Sequence, residues 1–271
     1  MVALDGLEPK YFALKNTIDS CGSLIVAYSG GVDSALVLKV AHDILGPKAL
    51  AVTADSPSVP RREIEEAKRI ALSIGARHDI IQTEELQNPN YTTNPANRCY
   101  FCKTELYSKL SEIAKREGIR FVANGTNLDD LGDYRPGLQA ALEYQVISPL
   151  KEAGFTKADV RQLTQQLHLE IWDKPASPCL SSRIPYGSQV TPEKLAMIEA
   201  AEEYLRGFSI RELRVRHFGD KARIETSPRD SHIVRQNLGL IYERFKQLGF
   251  EEIEFAEFRS GALNASLISI K

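Results

Sequence analysis

The sequence has no hydrophobic run that could span a bilayer. Its longest apolar stretches, such as Leu24–Ala27 and Leu50–Thr53, cover a few residues against the ~20 a membrane helix requires. Met1–Gly6 lacks the basic start and apolar run of a secretory signal, which leads us to expect a cytoplasmic protein. An excess of basic charge is also missing: 34 Lys and Arg face 36 Asp and Glu, a net charge of −2. Proteins that grip nucleic acid through its backbone carry a basic surplus, so nucleic acid is disfavoured as a partner. Cysteine is scarce, with Cys21, Cys99, Cys102 and Cys179 the four present, too few for a disulfide scaffold. In a reducing compartment such cysteines point to metal binding or thiol chemistry. No internal repeat and no low-complexity tract is present. What is there, 43% hydrophobic and 26% charged residues in a chain of 271, suffices for one large domain or a large domain with a small one.

The first two-thirds alternates short apolar runs with segments of helical period, the pattern of a parallel α/β sheet. Ser23–Ala27, Ala49–Ala54, His78–Gln82 and Phe121–Asn124 read as strands. Ser34–Leu45, Pro60–Ile74, Lys103–Glu117 and Thr156–Leu167 read as helices, the last with Thr156 as N-cap. Gln87–Arg98, rich in Asn, Pro and Thr, reads as a loop. The spacing places a first domain over 1–175, a Ser/Pro/Gly-rich linker carrying Cys179 over 176–190, and a small α+β domain over 191–271. In that last part Pro192–Arg206 and Ser231–Leu248 read as helices, and Glu212–Arg216, Ala222–Glu225, Glu252–Phe258 and Ser266–Ile270 as strands.

Ser29-Gly30-Gly31-Val32-Asp33-Ser34 lies directly between the first strand and a helix. There a parallel sheet presents backbone N–H groups and a positive helix N-terminus to an anion. Two glycines let the main chain approach phosphate oxygens, Ser29 and Ser34 supply hydroxyl donors, and Asp33 suits a bridging Mg²⁺ rather than phosphate itself. The ordinary alternative is a capped strand-to-helix turn. The loop resembles the SGGxDS signature of the PP-loop, or N-type, ATP pyrophosphatases. That resemblance implies a doubly wound parallel sheet of the adenine nucleotide α-hydrolase type and cleavage of ATP to AMP and pyrophosphate. It also implies nucleotide contacts from Ala27, Ser29, Gly30, Gly31, Asp33 and Ser34, from Thr53 and Asp55 after the second strand, and from Gly125 and Thr126 in Gly125–Asp130. Taken alone, the last two segments look like turns.

Arg98-Cys99-Tyr100-Phe101-Cys102-Lys103 sets a C-x-x-C where the long loop meets a helix, and Cys179 stands in Ser177-Pro178-Cys179-Leu180-Ser181-Ser182-Arg183. Three thiolates fit a [4Fe-4S] cluster with one open iron. With a fourth ligand such as His78 or His168 they fit a structural zinc. A C-x-x-C on its own also fits a redox dithiol or two unrelated core thiols. Cys21 lies apart from these motifs and reads as a packing residue.

Ser148-Pro149-Leu150-Lys151, Gly154-Phe155-Thr156-Lys157-Ala158-Asp159-Val160-Arg161, Trp172-Asp173-Lys174-Pro175-Ala176 and Ser181-Ser182-Arg183-Ile184-Pro185-Tyr186-Gly187 together resemble the LarE family. Its members are the ATP-dependent sulfur transferases that build the nickel-pincer nucleotide cofactor of lactate racemase. The likeness runs from Leu24 to Ser260. It implies adenylation of a pyridinium-3,5-biscarboxylate mononucleotide, displacement of AMP by a sulfur nucleophile, and repetition at the second carboxylate. Some members sacrifice one linker cysteine, which would align with Pro178. This sequence looks like the three-cysteine members, which implies Cys99, Cys102 and Cys179 as cluster ligands. Lys103 would then stabilise the leaving phosphate or the cluster sulfide.

Arg214-Val215-Arg216 alternates on a strand, so both guanidinia point to one face. With Ser182 and Arg183 they would clamp the substrate phosphate; the ordinary alternative is a solvated strand face. Glu202 matches a family position that binds metal, expected here as Mg²⁺, and as a lone helix carboxylate it also reads as a surface residue. The expected partners are the pyridinium nucleotide, further copies of the chain and a downstream nickel-insertion protein. Two other readings are a tRNA-thiolating PP-loop enzyme, opposed by the acidic balance and by Val32, and a non-catalytic nucleotide-binding module with a structural zinc.

Overall fold

A computed structural model describes residues 6–132, 135–210 and 212–258. The chain divides into two compact units, the first formed by Met1–Glu85 and Cys99–Ser177, the second by Leu86–Arg98 and Pro178–Lys271.

In the first unit β1 (Leu24–Ala27), β2 (Ala49–Asp55), β3 (Arg77–Gln82) and β4 (Phe121–Ala123) form a parallel sheet in the order β3-β2-β1-β4. Leu24 pairs with both Ala49 and Phe121, so β1 is central. Buried on both faces, β1 and β2 need no polar alternation. Their side chains alternate between two apolar clusters: Leu24, Val26, Ala49 and Ala51 enter one, Ile25, Leu50 and Val52 the other. The first cluster also takes residues of α1 (Glu8–Cys21), α2 (Val32–Leu45), α3 (Arg61–Ile74) and α8 (Lys157–Gln166). The second is completed by α5 (Arg98–Glu117) and α6 (Gly137–Glu143), while α7 is the short Pro149–Glu152. Cys21 is 3% exposed within the first cluster. Because β2 and β4 flank β1 on opposite sides, the chain reverses its winding at the carboxyl end of β1. This crevice is where open α/β sheets take ligands.

Three elements differ from the sequence expectation, each for a local reason. The helix expected from Lys103 begins at Arg98. No Gly or Pro interrupts 98–117, and a turn from Pro95 to Arg98 (2.9 Å) leads straight into it, so both cysteines of the C-x-x-C lie in the first two helical turns. Within 87–98 a short α4 (Pro89–Thr92) forms because the Asn88 side chain caps Asn90 N at 2.9 Å and Pro89 occupies the first position. The helix expected over 231–248 is broken into α10 (Ser231–Gln236) and α11 (Leu238–Gln247). The Asn237 amide donates back to Ile233 O at 2.8 Å, and such a local side-chain bond competes with the helical ladder.

In the second unit β5 (Leu213–Phe218) and β6 (Lys221–Thr226) form a hairpin, turning at Gly219 with φ +74°. β7 (Glu252–Glu257) pairs parallel to β6, and α9 (Pro192–Arg206) and α11 pack on this sheet through Leu205, Val215, Ile224, Ile241 and Phe245. The 86–98 segment is knitted into this unit. The Asn94 side chain donates to Ile184 O, Pro185 O and Ser188 O at 3.2, 2.7 and 2.9 Å, and the Tyr91 and Ser181 hydroxyls meet at 2.6 Å. The strand expected at Ser266–Ile270 lies outside the described residues. Among the described residues no helix is long and apolar enough to cross a membrane.

Candidate active site

In the first unit the main chain leaves β1 at half-buried Ala27 and enters α2 through the Ser29–Ser34 loop. The loop is held by its own hydroxyls. Ser29 N donates to Ser34 Oγ at 3.2 Å, the two serine oxygens are 3.2 Å apart, and Ser34 Oγ donates to Gly31 O at 3.1 Å. Gly30 has φ +70°, and a Cβ on it would stand 2.9 Å from Ala67 Cβ of α3. Both conformation and space therefore demand glycine at this position. Gly31 is the N-cap of α2, which leaves the first amides of a 14-residue helix without intrahelical partners.

Asp33, in the first turn of α2, is the best-connected group of this site. Its Oδ1 accepts from Asn127 Nδ2 at 3.0 Å, and its Oδ2 forms an ion pair with Lys157. Lys157 opens α8, whose Thr156–Asp159 capping box fixes the start, and its main-chain N donates to Asp129 Oδ2 at 2.7 Å. The segment after β4 is thereby closed onto the phosphate loop. Gly125 in that segment lies so near that a Cβ would come within 2.7 Å of Ser34 N. Thr126 N is turned to Asn124 Oδ1 at 3.0 Å. A second lysine, Lys174, reaches Gly30 O at 3.1 Å and pairs with Glu63 at 2.8 Å and Glu66 at 2.6 Å. Sequence reasoning assigned no individual role to Asn127, Lys157, Lys174 or Glu63; the signal for the first three was membership of the Gly125–Asp130, Gly154–Arg161 and Trp172–Ala176 segments, and Glu63 had none.

Thr53 and Asp55 lie at the carboxyl end of β2 as expected for the ligand side of the sheet, yet their side chains are engaged within the protein. Thr53 Oγ1 donates to Tyr28 O at 2.8 Å and is 2.8 Å from His78 Nε2. Burial lowers the His78 pKa against the opposing charge of Asp79. Asp55 pairs with Arg61 and accepts from Gln82 at 3.0 Å.

Exposed Cys99 and half-buried Cys102 sit three residues apart in the first two turns of α5, on one helix face. Lys103 follows, its Nζ 5.9 Å from the Tyr107 ring centroid. Half-buried Cys179 is in the second unit, capping the turn Leu180–Arg183. All four cysteines are thiols, not disulfides, so the donor chemistry fits a thiolate-held metal group. Among the described residues no three His, Cys, Asp or Glu side chains stand together as a metal site.

In the second unit the expected arginines are buried, which corrects the solvated-face alternative. Arg183, 2% exposed, binds Glu202 through Nε at 2.8 Å and Nη2 at 3.2 Å. Its Nη1 donates to Pro178 O at 2.7 Å, Cys179 O at 3.2 Å and Ser182 Oγ at 3.0 Å. Arg183 is thus a strut beneath the Cys179 backbone. Arg216 pairs with Glu225 at 2.9 Å and donates to Ser182 O at 2.9 Å. Arg214, 8% exposed, stacks over Phe258 at 4.6 Å and has no carboxylate at ion-pair distance among the described residues. Burial, then the charges of Arg183 and Arg216, push its pKa down to about 10, against Glu225 and Glu202. With Arg206, 3.7 Å from Glu202, four guanidinia therefore face two carboxylates, a standing deficit of negative charge. Glu202 is neither a surface residue nor a fit for Mg²⁺: Arg183 already engages both its oxygens, Val215 N donates to one of them at 3.1 Å, and Arg206 pairs with the other at 3.7 Å.

No family model matches the chain. It is 47% identical over 265 residues, 96% of its length and 99% of the relative's, to an uncharacterized protein of Synechocystis sp.. One subunit of the glutamine-hydrolyzing GMP synthase of Archaeoglobus fulgidus is 26% identical over 195 residues, 67% of this chain and 63% of that one. The pyridinium-3,5-bisthiocarboxylic acid mononucleotide synthase of Lactiplantibacillus plantarum is 39% identical over 265 residues, 96% of each chain. With a parallel sheet that turns into Ser29–Ser34 at its central strand, and with this identity over nearly its whole length, the chain belongs to the LarE family of pyridinium-3,5-bisthiocarboxylic acid mononucleotide synthases.

Proposed function

We propose that the chain is an ATP-dependent sulfur transferase that adenylates the carboxylates of a pyridinium-3,5-biscarboxylate mononucleotide and converts them to thiocarboxylates. The observation that supports this best is the Ser29–Ser34 cradle with Asp33 and Lys157 beside it, in a chain whose 39% identical relative is named for the dithio product. A carboxylate oxygen of the substrate attacks the α-phosphorus of ATP, the bond from that phosphorus to the bridging oxygen breaks, and pyrophosphate leaves. The acyl adenylate then accepts a sulfur nucleophile at its carbonyl carbon, and AMP departs with the former carboxylate oxygen.

The loop amides and the serine hydroxyls hold the triphosphate, and the Asp33–Lys157 pair sets the charge around it. Asp33 would hold Mg²⁺, which when bound would neutralise phosphate charge, and Lys157 supplies a cation beside the phosphates. Arg214, with Arg216 and Ser182, takes the phosphate of the mononucleotide, because it is the buried cation that has no carboxylate at ion-pair distance among the described residues. Arg183 acts through the Cys179 main chain instead. Cys99, Cys102 and Cys179 would hold a [4Fe-4S] cluster, which when bound supplies the sulfide sulfur. The product enters the nickel-pincer cofactor of lactate racemase in the cytoplasm, through a nickel-inserting partner, and the enzyme works as a homo-oligomer.

The test is anaerobic incubation of purified protein with ATP, Mg²⁺ and the dicarboxylate mononucleotide, following pyrophosphate release together with product mass. We expect each pyrophosphate to accompany one exchange of oxygen for sulfur, and visible iron–sulfur absorption to be lost in Cys99→Ala, Cys102→Ala and Cys179→Ala. Pyrophosphate release with no thiolated product would overturn the sulfur-transfer assignment. A colourless protein after reconstitution with iron and sulfide would overturn the cluster.

A further inference from the structure

Lys174 joins two parts of the first unit that lie far apart in sequence. Its ammonium, 12% exposed, donates to the carbonyl of Gly30 at 3.1 Å and is gripped by Glu63 and Glu66 of α3. Glu63 is itself 7% exposed, and its other oxygen accepts from Ser177 Oγ at 2.9 Å. The strap over 172–177 is fixed from a second side by Arg161, whose guanidinium donates to Trp172 O at 3.2 Å and Lys174 O at 2.9 Å. One carboxylate thus receives both the lysine that touches the phosphate loop and the serine two positions before Cys179.

The peptide group between Gly30 and Gly31 gives this arrangement a direction. Its carbonyl accepts from Lys174, while its N–H donates to Ser29 Oγ at 3.3 Å, a neutral acceptor that a phosphate in the loop would replace with an anionic one. Hydrogen bonds on the two sides of one peptide polarise it cooperatively. A phosphate accepting from the Gly31 N–H makes the Gly30 oxygen a better acceptor, and so tightens the hold on Lys174. That difference in interaction between empty and occupied loop is what a coupling requires.

We propose that Lys174 is a positioning residue that ties the phosphate loop to the start of the Cys179 segment, so that nucleotide in the loop steadies the chain that carries Cys179. The proposal rests on the reading of Ser29–Ser34 as the ATP site. Sulfur transfer then follows adenylation in order, because the thiol segment is most fixed while the loop is filled.

The experiment is hydrogen–deuterium exchange over residues 29–34 and 174–182 of the full-length protein, with and without ATP and Mg²⁺, beside an ATP dissociation constant. Wild type should slow its exchange over 174–182 when ATP binds. Lys174→Met, which removes a charged hydrogen bond, should weaken ATP binding ~10-fold, quicken exchange in both segments and abolish the response to ATP. Ser177→Ala, which cuts only the strap end, should quicken exchange over 174–182 ~5-fold and leave the ATP dissociation constant unchanged. If Lys174→Met alters one segment and not the other, or if Ser177→Ala exchanges like wild type, the tie is refuted while the ATP site stands. If wild type binds no ATP, the functional reading falls instead, and the tie is then judged by whether Lys174→Met quickens 29–34 and 174–182 together.

Discussion

Gly125→Ala adds a single methyl group at the place where the segment after β4 meets the phosphate loop. Its Cβ would stand 2.7 Å from Ser34 N, 3.0 Å from Asp33 C and 3.1 Å from Asp33 Cβ. Two of these three are main-chain atoms of the first turn of α2, and a main chain cannot swing aside as a long side chain does. Gly125 is not in the left-handed region, so alanine suffers no backbone strain there. Its restriction of the unfolded chain would by itself stabilise by about 0.4–1 kcal/mol. Overpacking opposes that with about 1–3 kcal/mol. The net is a loss of about 1–2 kcal/mol, or a fall in Tm of about 2–8 °C at this size. The effect on chemistry is larger, because a displacement approaching 1 Å in a catalytic group costs ~100-fold, and the group displaced carries Asp33. Substrate-dependent pyrophosphate exchange should therefore fall at least ~10-fold, beside a modest thermal shift. Gly239→Ala, where a Cβ meets nothing within 4 Å, is the control and should be neutral or slightly stabilising. Wild-type exchange and Tm in Gly125→Ala would refute the contact and, with it, the placement of the Gly125–Asp130 segment against the loop.

Two further outcomes follow from buried charges. Burial alone would raise the Glu63 pKa, but Lys174, Arg62 and Ser177 together hold it below its ordinary value. A depressed carboxyl stabilises fully above the unfolded-state pKa of ~4.3 and loses that contribution as pH falls through the folded value; denaturant midpoints of wild type and Glu63→Gln should thus converge below about pH 4 and separate above it. Arg183→Met leaves the Glu202 carboxylate, 3% exposed, with Arg206 at 3.7 Å as its remaining ion-pair partner, and should cost about 2 kcal/mol in chemical denaturation, whereas Arg183→Met with Glu202→Gln, which still accepts from Val215 N, should recover part of that loss.

The sheet was legible because buried parallel strands consist of little but apolar residues, as at Leu24–Ala27 and Ala49–Asp55. The phosphate loop was legible because Gly30, with φ +70° and Ala67 at its back, serves a backbone need that few other residues meet. The lysines were not. Lys157 at a helix start and Lys174 after a turn have nothing in their neighbours to separate them from surface lysines; only folding brings Asp33 and Glu63 to them. The attachment of 86–98 to the second unit runs through polar groups such as the Asn94 amide and the Tyr91 hydroxyl, and no periodicity announces a side chain that bonds three distant carbonyls. The break at Asn237 was missed for a related reason: the apolar pattern runs through it, and a single back-bonding amide overrules the pattern.

The arginines were found in the sequence, but their electrical state was not, and that state separates structure from function. Arg214 and Arg216 occupy equivalent places on one strand face, two residues apart, yet Glu225 on the paired strand lies within 2.9 Å of one and serves the other only from a distance. Removing Arg216 leaves Glu225, 4% exposed, buried and unpaired, so Arg216→Met should destabilise by about 3 kcal/mol. Removing Arg214 takes away a desolvated cation that two neighbouring guanidinia repel. Arg214→Met should therefore raise Tm by a few degrees, on the order of 1 kcal/mol. The same change deletes the charge that has no carboxylate at ion-pair distance among the described residues, so binding of the phosphorylated substrate should weaken at least ~10-fold. Stability and binding would then move in opposite directions for Arg214 and together for Arg216. Calorimetry paired with substrate titration on the two variants reads both signs. A destabilised Arg214→Met with unchanged substrate affinity would show that the stacking on Phe258 is its purpose, and the phosphate subsite would have to be sought elsewhere in the chain.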